Sequence, residues 1–162
     1  MLLTGTFSSC KSHKKSKETE YAGEVIRVDK SNLKGKTIGE KIAKESLTWI
    51  GTPYGYGCNR KGVATDCSGL VIVLYEEIAE IKLPRNSAQQ ADFCKDLKEK
   101  DIKPGDLVFF ATGKDKRKIS HVGVMIDKIK FVHASASKGV ILSEMTTPYY
   151  QRTFIKYGRV PL

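Results

Sequence analysis

Cys67 stands where a polar stretch gives way to an apolar run: Asp66-Cys67-Ser68-Gly69 is followed at once by Leu70-Val71-Ile72-Val73-Leu74. A cysteine at a helix start meets unpaired backbone N–H groups and the positive end of the helix dipole, and both favour a thiolate. A nucleophilic thiol also needs a base, and the base needs an orienting group. Of the three histidines, His13 lies in a charged stretch without periodicity, whereas His121 and His133 fall in two successive strand-like segments. Cys67 as nucleophile, His121 as base and His133 as orienter would meet the need. An imidazolium on His121 could then protonate a departing amine. Pairing with an imidazole at a helix start can lower a thiol pKa by several units from about 8.5. The Cys67 N–H offers part of an oxyanion hole, with Tyr54 as the side-chain donor or a substrate contact. Taken singly, each residue has a bland alternative. A cysteine heading an apolar helix is usually core, and Tyr54 and Tyr56 can simply pack.

Two histidines on neighbouring strands cooperate only if they share a face, which is a matter of parity. His121 and His133 are directly opposed if the hairpin between them is centred on Asp127, with Ile126-Asp127-Lys128 as its three-residue connection. A two-residue turn would put them on opposite faces unless a bulge corrected it.

The elements that must hold these residues can be read coarsely. Ile38, Ile42, Leu47, Trp49 and Ile50 give residues 37–50 one apolar side, with Thr37 as N-cap, Glu40 as its capping-box partner and Gly51-Thr52-Pro53 as the stop. Residues 52–65 are glycine-rich and read as a loop. Residues 67–80 read as a buried central helix, and 86–97 as a third, weaker one. From residue 106 the period changes to that of short strands: 106–110, 121–126, 131–134, 139–142 and 154–160. The charged loop 112–118 should be exposed. Helices first and strands after predict an α+β domain.

The 162 residues suit one domain with a tail, and a net charge of +10 suits an anionic partner: nucleic acid, acidic lipid or an anionic wall polymer. No stretch reaches the roughly 20 apolar residues of a membrane span. Four cysteines are too few for a disulfide framework, although Cys58 and Cys94 could pair. Residues 1–10 place small residues before Cys10 and resemble the end of a lipoprotein-type signal, with Cys10 as the lipidated residue, although the apolar stretch is too short for a complete export signal. Residues 11–36 read as a basic tether that would favour an anionic membrane surface, ending in a covering arm around Val25-Ile26-Arg27-Val28. The folded domain is expected over 37–162.

Six motifs in register resemble the NlpC/P60 family of bacterial cell-wall cysteine peptidases. They are Gly51-Thr52-Pro53-Tyr54-Gly55-Tyr56-Gly57, Thr65-Asp66-Cys67-Ser68-Gly69-Leu70-Val71, Leu83-Pro84-Arg85-Asn86-Ser87-Ala88-Gln89-Gln90, Lys103-Pro104-Gly105-Asp106-Leu107-Val108-Phe109-Phe110, Ile119-Ser120-His121-Val122-Gly123-Val124 and Phe131-Val132-His133-Ala134. The resemblance implies a papain-like fold, with the nucleophile helix packed on an antiparallel sheet of about five to six strands. It implies a Cys67-His121-His133 triad that hydrolyses peptidoglycan stem peptides, commonly between D-γ-glutamyl and a diamino acid. It places Tyr54, Asp66 and Ser68 at the substrate, with Asp66 suited to a free ammonium. Arg85 and Gln90 match as structural positions. Cys58 departs from the pattern, standing where many members carry a second glycine. The partners implied are stem peptides rather than nucleic acid, with no cofactor or metal, for a monomer at the cell envelope, on the periplasmic side of a membrane. Two other readings stay open: a metal site built from Cys67, His121 and His133, with or without Cys58, and a non-catalytic envelope module binding anionic wall polymer through its lysines.

Overall fold

The computed structural model describes residues 35–162. Cys10, His13, the basic tether and the arm around Val25 lie outside the described residues.

Helix α1 (Ile38–Leu47) opens on the capping box read from the sequence. Thr37 Oγ1 accepts from the Glu40 amide, and Glu40 Oε2 accepts from the Thr37 amide, both at 3.2 Å. The helix ends earlier than expected, because residues 48–51 form a turn that leaves Trp49 buried. The glycine-rich loop contains a small hairpin, β1 (Asn59–Arg60) with β2 (Ala64–Thr65). Helix α2 (Cys67–Ala79) follows, buried along Leu70, Val71, Leu74 and Tyr75. Helix α3 stops at Phe93 rather than running to Leu97. Lys95–Leu97 is instead strand β3, made a strand by pairing with β8 and not by any alternation of its own.

Strands β4 (Leu107–Phe110), β5 (His121–Met125), β6 (Lys130–Ser135), β7 (Gly139–Glu144) and β8 (Phe154–Arg159) complete an antiparallel sheet in the order β3-β8-β4-β5-β6-β7. The α+β class and the six-stranded sheet agree with expectation. A short helix α4 (Pro148–Thr153), unexpected from the sequence, precedes β8. Loop residues 113–118 are exposed, as their charge suggested.

The sheet has two apolar faces. Leu107, Phe109, Val122, Val124, Val132, Ala134 and Val140 form one core with α1 and α2. Val108, Phe110, Met125, Phe131 and Tyr157 form a smaller one, against which Tyr150 of α4 packs. On the outer side of β7, Val140 donates to the Thr52 carbonyl at 2.8 Å and accepts from the Gly51 amide at 2.9 Å.

The start of α1 touches the turn before β4 backbone to backbone. A Cβ on Gly39 would collide with the Pro104 carbonyl, and Gly105 has a φ of +89° with its own Cβ direction blocked by Gly39. Tyr75 of α2 fixes the same turn by donating to the Gly105 carbonyl at 2.6 Å. Gly39→Ala is therefore expected to cost about 2–3 kcal/mol and to lower Tm by about 10 °C in thermal unfolding followed by circular dichroism. An unchanged Tm would show that the contact relaxes freely.

Candidate active site

Helix α2 begins at an N-cap whose side chain does more than cap. Asp66 is 4% exposed. Its Oδ1 accepts from the Gly69 amide at 2.7 Å, from Arg85 Nη1 at 3.2 Å and from Ser68 Oγ at 3.3 Å. Its Oδ2 accepts from the Gly57 amide at 2.7 Å and from Arg85 Nη2 at 2.6 Å. Arg85 Nη1 also donates to Ser68 Oγ at 2.8 Å. One buried carboxylate thus ties together the glycine-rich loop, the start of α2 and the segment before α3. The carboxylate that the resemblance suits to a free ammonium is paired with Arg85, whose side chain is half-exposed. Ser68 is buried in the same cluster. Gln90 has the structural place expected of it, donating to the carbonyls of Pro84 at 2.9 Å and Ser68 at 3.2 Å.

Cys67 is the first residue of α2 and is a free thiol, partly exposed. Burial, and next the Asp66 carboxylate, push its pKa up; the amides of Val122, Ser68 and Cys67 itself pull the other way. The net direction is upward, opposite to the depression expected for a preformed ion pair. The sulfur is thereby placed against Val122, one residue from His121. Tyr54 is half-buried beside the same charges, bridged through its backbone to Thr65. Burial, then Cys67 and Asp66, raise its phenol pKa, so it stays protonated and able to donate. Cys94 is a free, buried thiol pushed up to about 12 by burial, so no Cys58–Cys94 disulfide forms.

The histidines meet the parity demand, although not in the expected register. Val124 opposes Val132 and Met125 opposes Phe131, which centres the hairpin on Lys128 rather than Asp127. The connection is residues 127–129, closed by Ile126 donating to the Lys130 carbonyl at 2.8 Å. Asp127 Oδ1 accepts from the amides of Ile129 and Lys130, both at 2.8 Å, which fixes the turn. His121 and His133 are therefore diagonal neighbours on one face, not directly opposed. His121 Nε2 and His133 Nδ1 lie 2.8 Å apart, with the rings edge to face. Burial lowers the His121 pKa to about 4; burial, and next His121, lower that of His133. Both rings are neutral near pH 7.

Two residues that sequence reasoning missed complete the cluster. His133 Nε2 lies 3.0 Å from Ser143 Oγ on β7 and 2.9 Å from the Tyr150 hydroxyl on α4. Ser143 opposes Phe131 across β6 and β7, so it sits diagonally beside His133 on the same face. Phe131 stacks on His133 from below, at a centroid distance of 5.0 Å. Among the described residues no three His, Cys, Asp or Glu side chains gather as metal ligands would, which removes the geometric basis for a Cys67-His121-His133 metal site.

A sequence model of the NlpC/P60 family matches residues 51–159. A "Probable endopeptidase NlpC" from Escherichia coli is 41% identical over 125 residues, covering 76% of this chain and 79% of the relative. A "Murein DD-endopeptidase MepS/Murein LD-carboxypeptidase" from the same species is 36% identical, covering 76% of this chain and 63% of that one. The crystal structure of an NlpC/P60 family protein from Bacillus cereus superposes with a TM-score of 0.69 at 25% identity, covering 75% of this chain and 40% of that one. A cysteine-headed helix packed on an antiparallel sheet, with a histidine pair at the sheet's end, is thus matched in sequence and in fold: the chain belongs to the NlpC/P60 family of cysteine peptidases.

Proposed function

We propose that this protein is a peptidoglycan hydrolase, a cysteine endopeptidase that cuts an amide bond of wall stem peptides through an acyl-enzyme on Cys67. The observation that carries the reading is the histidine pair, 2.8 Å apart, with His121 on the strand whose Val122 backbone meets the thiol at the start of α2. The bond is the D-γ-glutamyl–diamino acid link or a nearby cross-link.

His121 uses Nε2 toward His133, which leaves Nδ1 for the Cys67 thiol. The raised thiol pKa and lowered imidazole pKa make the resting pair neutral. The proton moves to His121 as sulfur attacks the substrate carbonyl. The oxyanion is met by the Cys67 amide and the Tyr54 phenol. The His121 imidazolium then gives its proton to the departing amine, and His121 as base activates the water that releases the acid. His133 orients His121. The protein acts at the cell envelope, as a monomer held on the periplasmic side of a membrane by a lipid on Cys10 and the basic residues after it.

Purified peptidoglycan incubated with the protein is expected to release stem-peptide fragments whose masses identify the bond cut. A muropeptide profile that the protein leaves unchanged would overturn the reading.

A further inference from the structure

The proton count at His133 has a consequence beyond the Cys67, His121 and His133 reading, on which it rests. When His121 is an imidazolium, both its ring nitrogens carry protons. The one on Nε2 needs an acceptor, and the atom facing it is His133 Nδ1, 2.8 Å away. A neutral His133 that accepts at Nδ1 must carry its own proton at Nε2. That N–H is 98% shielded from water with the rest of the residue, since His133 is 2% exposed. Without an acceptor it would be an orphaned buried donor.

Two hydroxyls face it, and they are not equivalent. Ser143 Oγ, 3.0 Å from Nε2, turns its own proton toward the Tyr150 hydroxyl at 3.3 Å, so its lone pairs are available to His133. Tyr150 is a phenol, which gives its proton into hydrogen bonds more readily than an aliphatic hydroxyl does. Its oxygen is 2.9 Å from the same nitrogen. A phenol donating there would force the proton of His133 onto Nδ1, where it would face the His121 N–H and oppose the imidazolium.

We propose that Ser143 is a positioning residue: it selects the Nε2–H tautomer of His133, by accepting that proton and by directing its own proton at Tyr150, and so permits His121 to become charged. Tyr150 is the competing donor that Ser143 keeps in the accepting role. The ionisable group packed on His133 from outside the pair is Tyr150 of α4, with Tyr149 against Tyr150 at 5.2 Å between ring centroids. The pair also borders a small pocket of about 220 Å³ that Ser135, Ser137 and Tyr149 help to line.

The test uses the full chain. In Ser143→Ala, kcat is expected to fall about ten- to hundredfold with KM unchanged, since the loss appears only when His121 is charged. The pH midpoint for iodoacetamide alkylation, read at the Cys67 peptide by mass spectrometry, should stay within about half a unit of wild type, because the free thiol ionises beside a neutral His121; a larger shift would mean that the substitution disturbs the sulfur itself and would overturn the inference. Tyr150→Phe, which leaves His133 Nε2 as the nearest partner for the Ser143 proton, should also lower kcat with KM unchanged, and Ser143→Thr, which restores a hydroxyl, should recover most of the rate. A Ser143→Ala protein with kcat within about threefold of wild type overturns the inference. Imidazole ¹⁵N shifts of the unmutated protein give a readout independent of any variant's folding: a proton on His133 Nε2 supports it, and one on Nδ1 overturns it. If Cys67→Ala still cleaves, the underlying reading fails, and that result is distinct from an unchanged kcat in Ser143→Ala when Cys67 is essential.

Discussion

Cys67→Ala is expected to lower the rate of stem-peptide cleavage by at least about 10⁴-fold, to the level of the buffer control. Nothing else in the site can replace the sulfur. Ser68 is buried and bonded to Asp66 and Arg85. Cys94, the other free thiol among the described residues, is buried against Gly158. Cys67→Ser should be equally inactive, because a hydroxyl in the same place is far less acidic than a thiol already held up by burial and by Asp66. The wild-type rate should carry the same signature. With the thiol pKa raised and that of His121 lowered to about 4, the uncatalysed reactivity of the free enzyme's sulfur should climb as pH passes above the ordinary cysteine range. Tm should move by only a few degrees in either variant, so a folded and inactive protein is the expected product. Cleavage by Cys67→Ala within tenfold of wild type would remove the sulfur from the mechanism.

Asp66→Ala should be the most damaging single change to stability near the site. It removes the N-cap of α2, about 1 kcal/mol by itself, and three further connections to Gly57, Ser68 and Arg85. Arg85 is half-exposed and can rehydrate, which limits the loss. The expected total is about 2–4 kcal/mol, or a fall in Tm of about 10 °C. Activity should fall as well, because the Gly57 loop that carries Tyr54 is held to α2 through this carboxylate. Asp66→Asn keeps a good cap and one acceptor oxygen, and should lose roughly half as much. Denaturant melts of both variants check the pair. A Tm for Asp66→Ala within about 2 °C of wild type would reduce the cluster to a bystander.

Local signals in the chain were dependable where the physics is local. The Thr37 and Glu40 capping box, the start of α2 at Cys67 and the change of period after residue 106 all depend on residues a few positions apart. Parity of the two histidines was also legible, because it survives a shift of the hairpin centre from Asp127 to Lys128. The direct opposition did not survive that shift. Strand β3 was missed because Lys95-Asp96-Leu97 has no pattern of its own; β8 makes it a strand. Helix α4 carried a usable signal in Thr147-Pro148, a cap position followed by proline at the first turn. Arg85 on Asp66, and Ser143 and Tyr150 on His133, bring together residues 10 to 19 positions apart. Such pairings have no sequence period to reveal them, so the Arg85 partner of Asp66 was not legible.

The bonds from Val140 to Gly51 and Thr52 bear on colloidal behaviour as well as on architecture. A sheet's outer strands are templates for further strands, and long bare edges invite amyloid-like stacking. Here one margin is partly occupied by the protein's own loop. At the other margin β3 is three residues long and presents exposed Lys95 and Asp96. The sheet is therefore guarded at both ends against recruiting foreign strands. An extended peptide meets a loop at the start of the β7 margin and a three-residue strand at the other, which limits the ladder it could join.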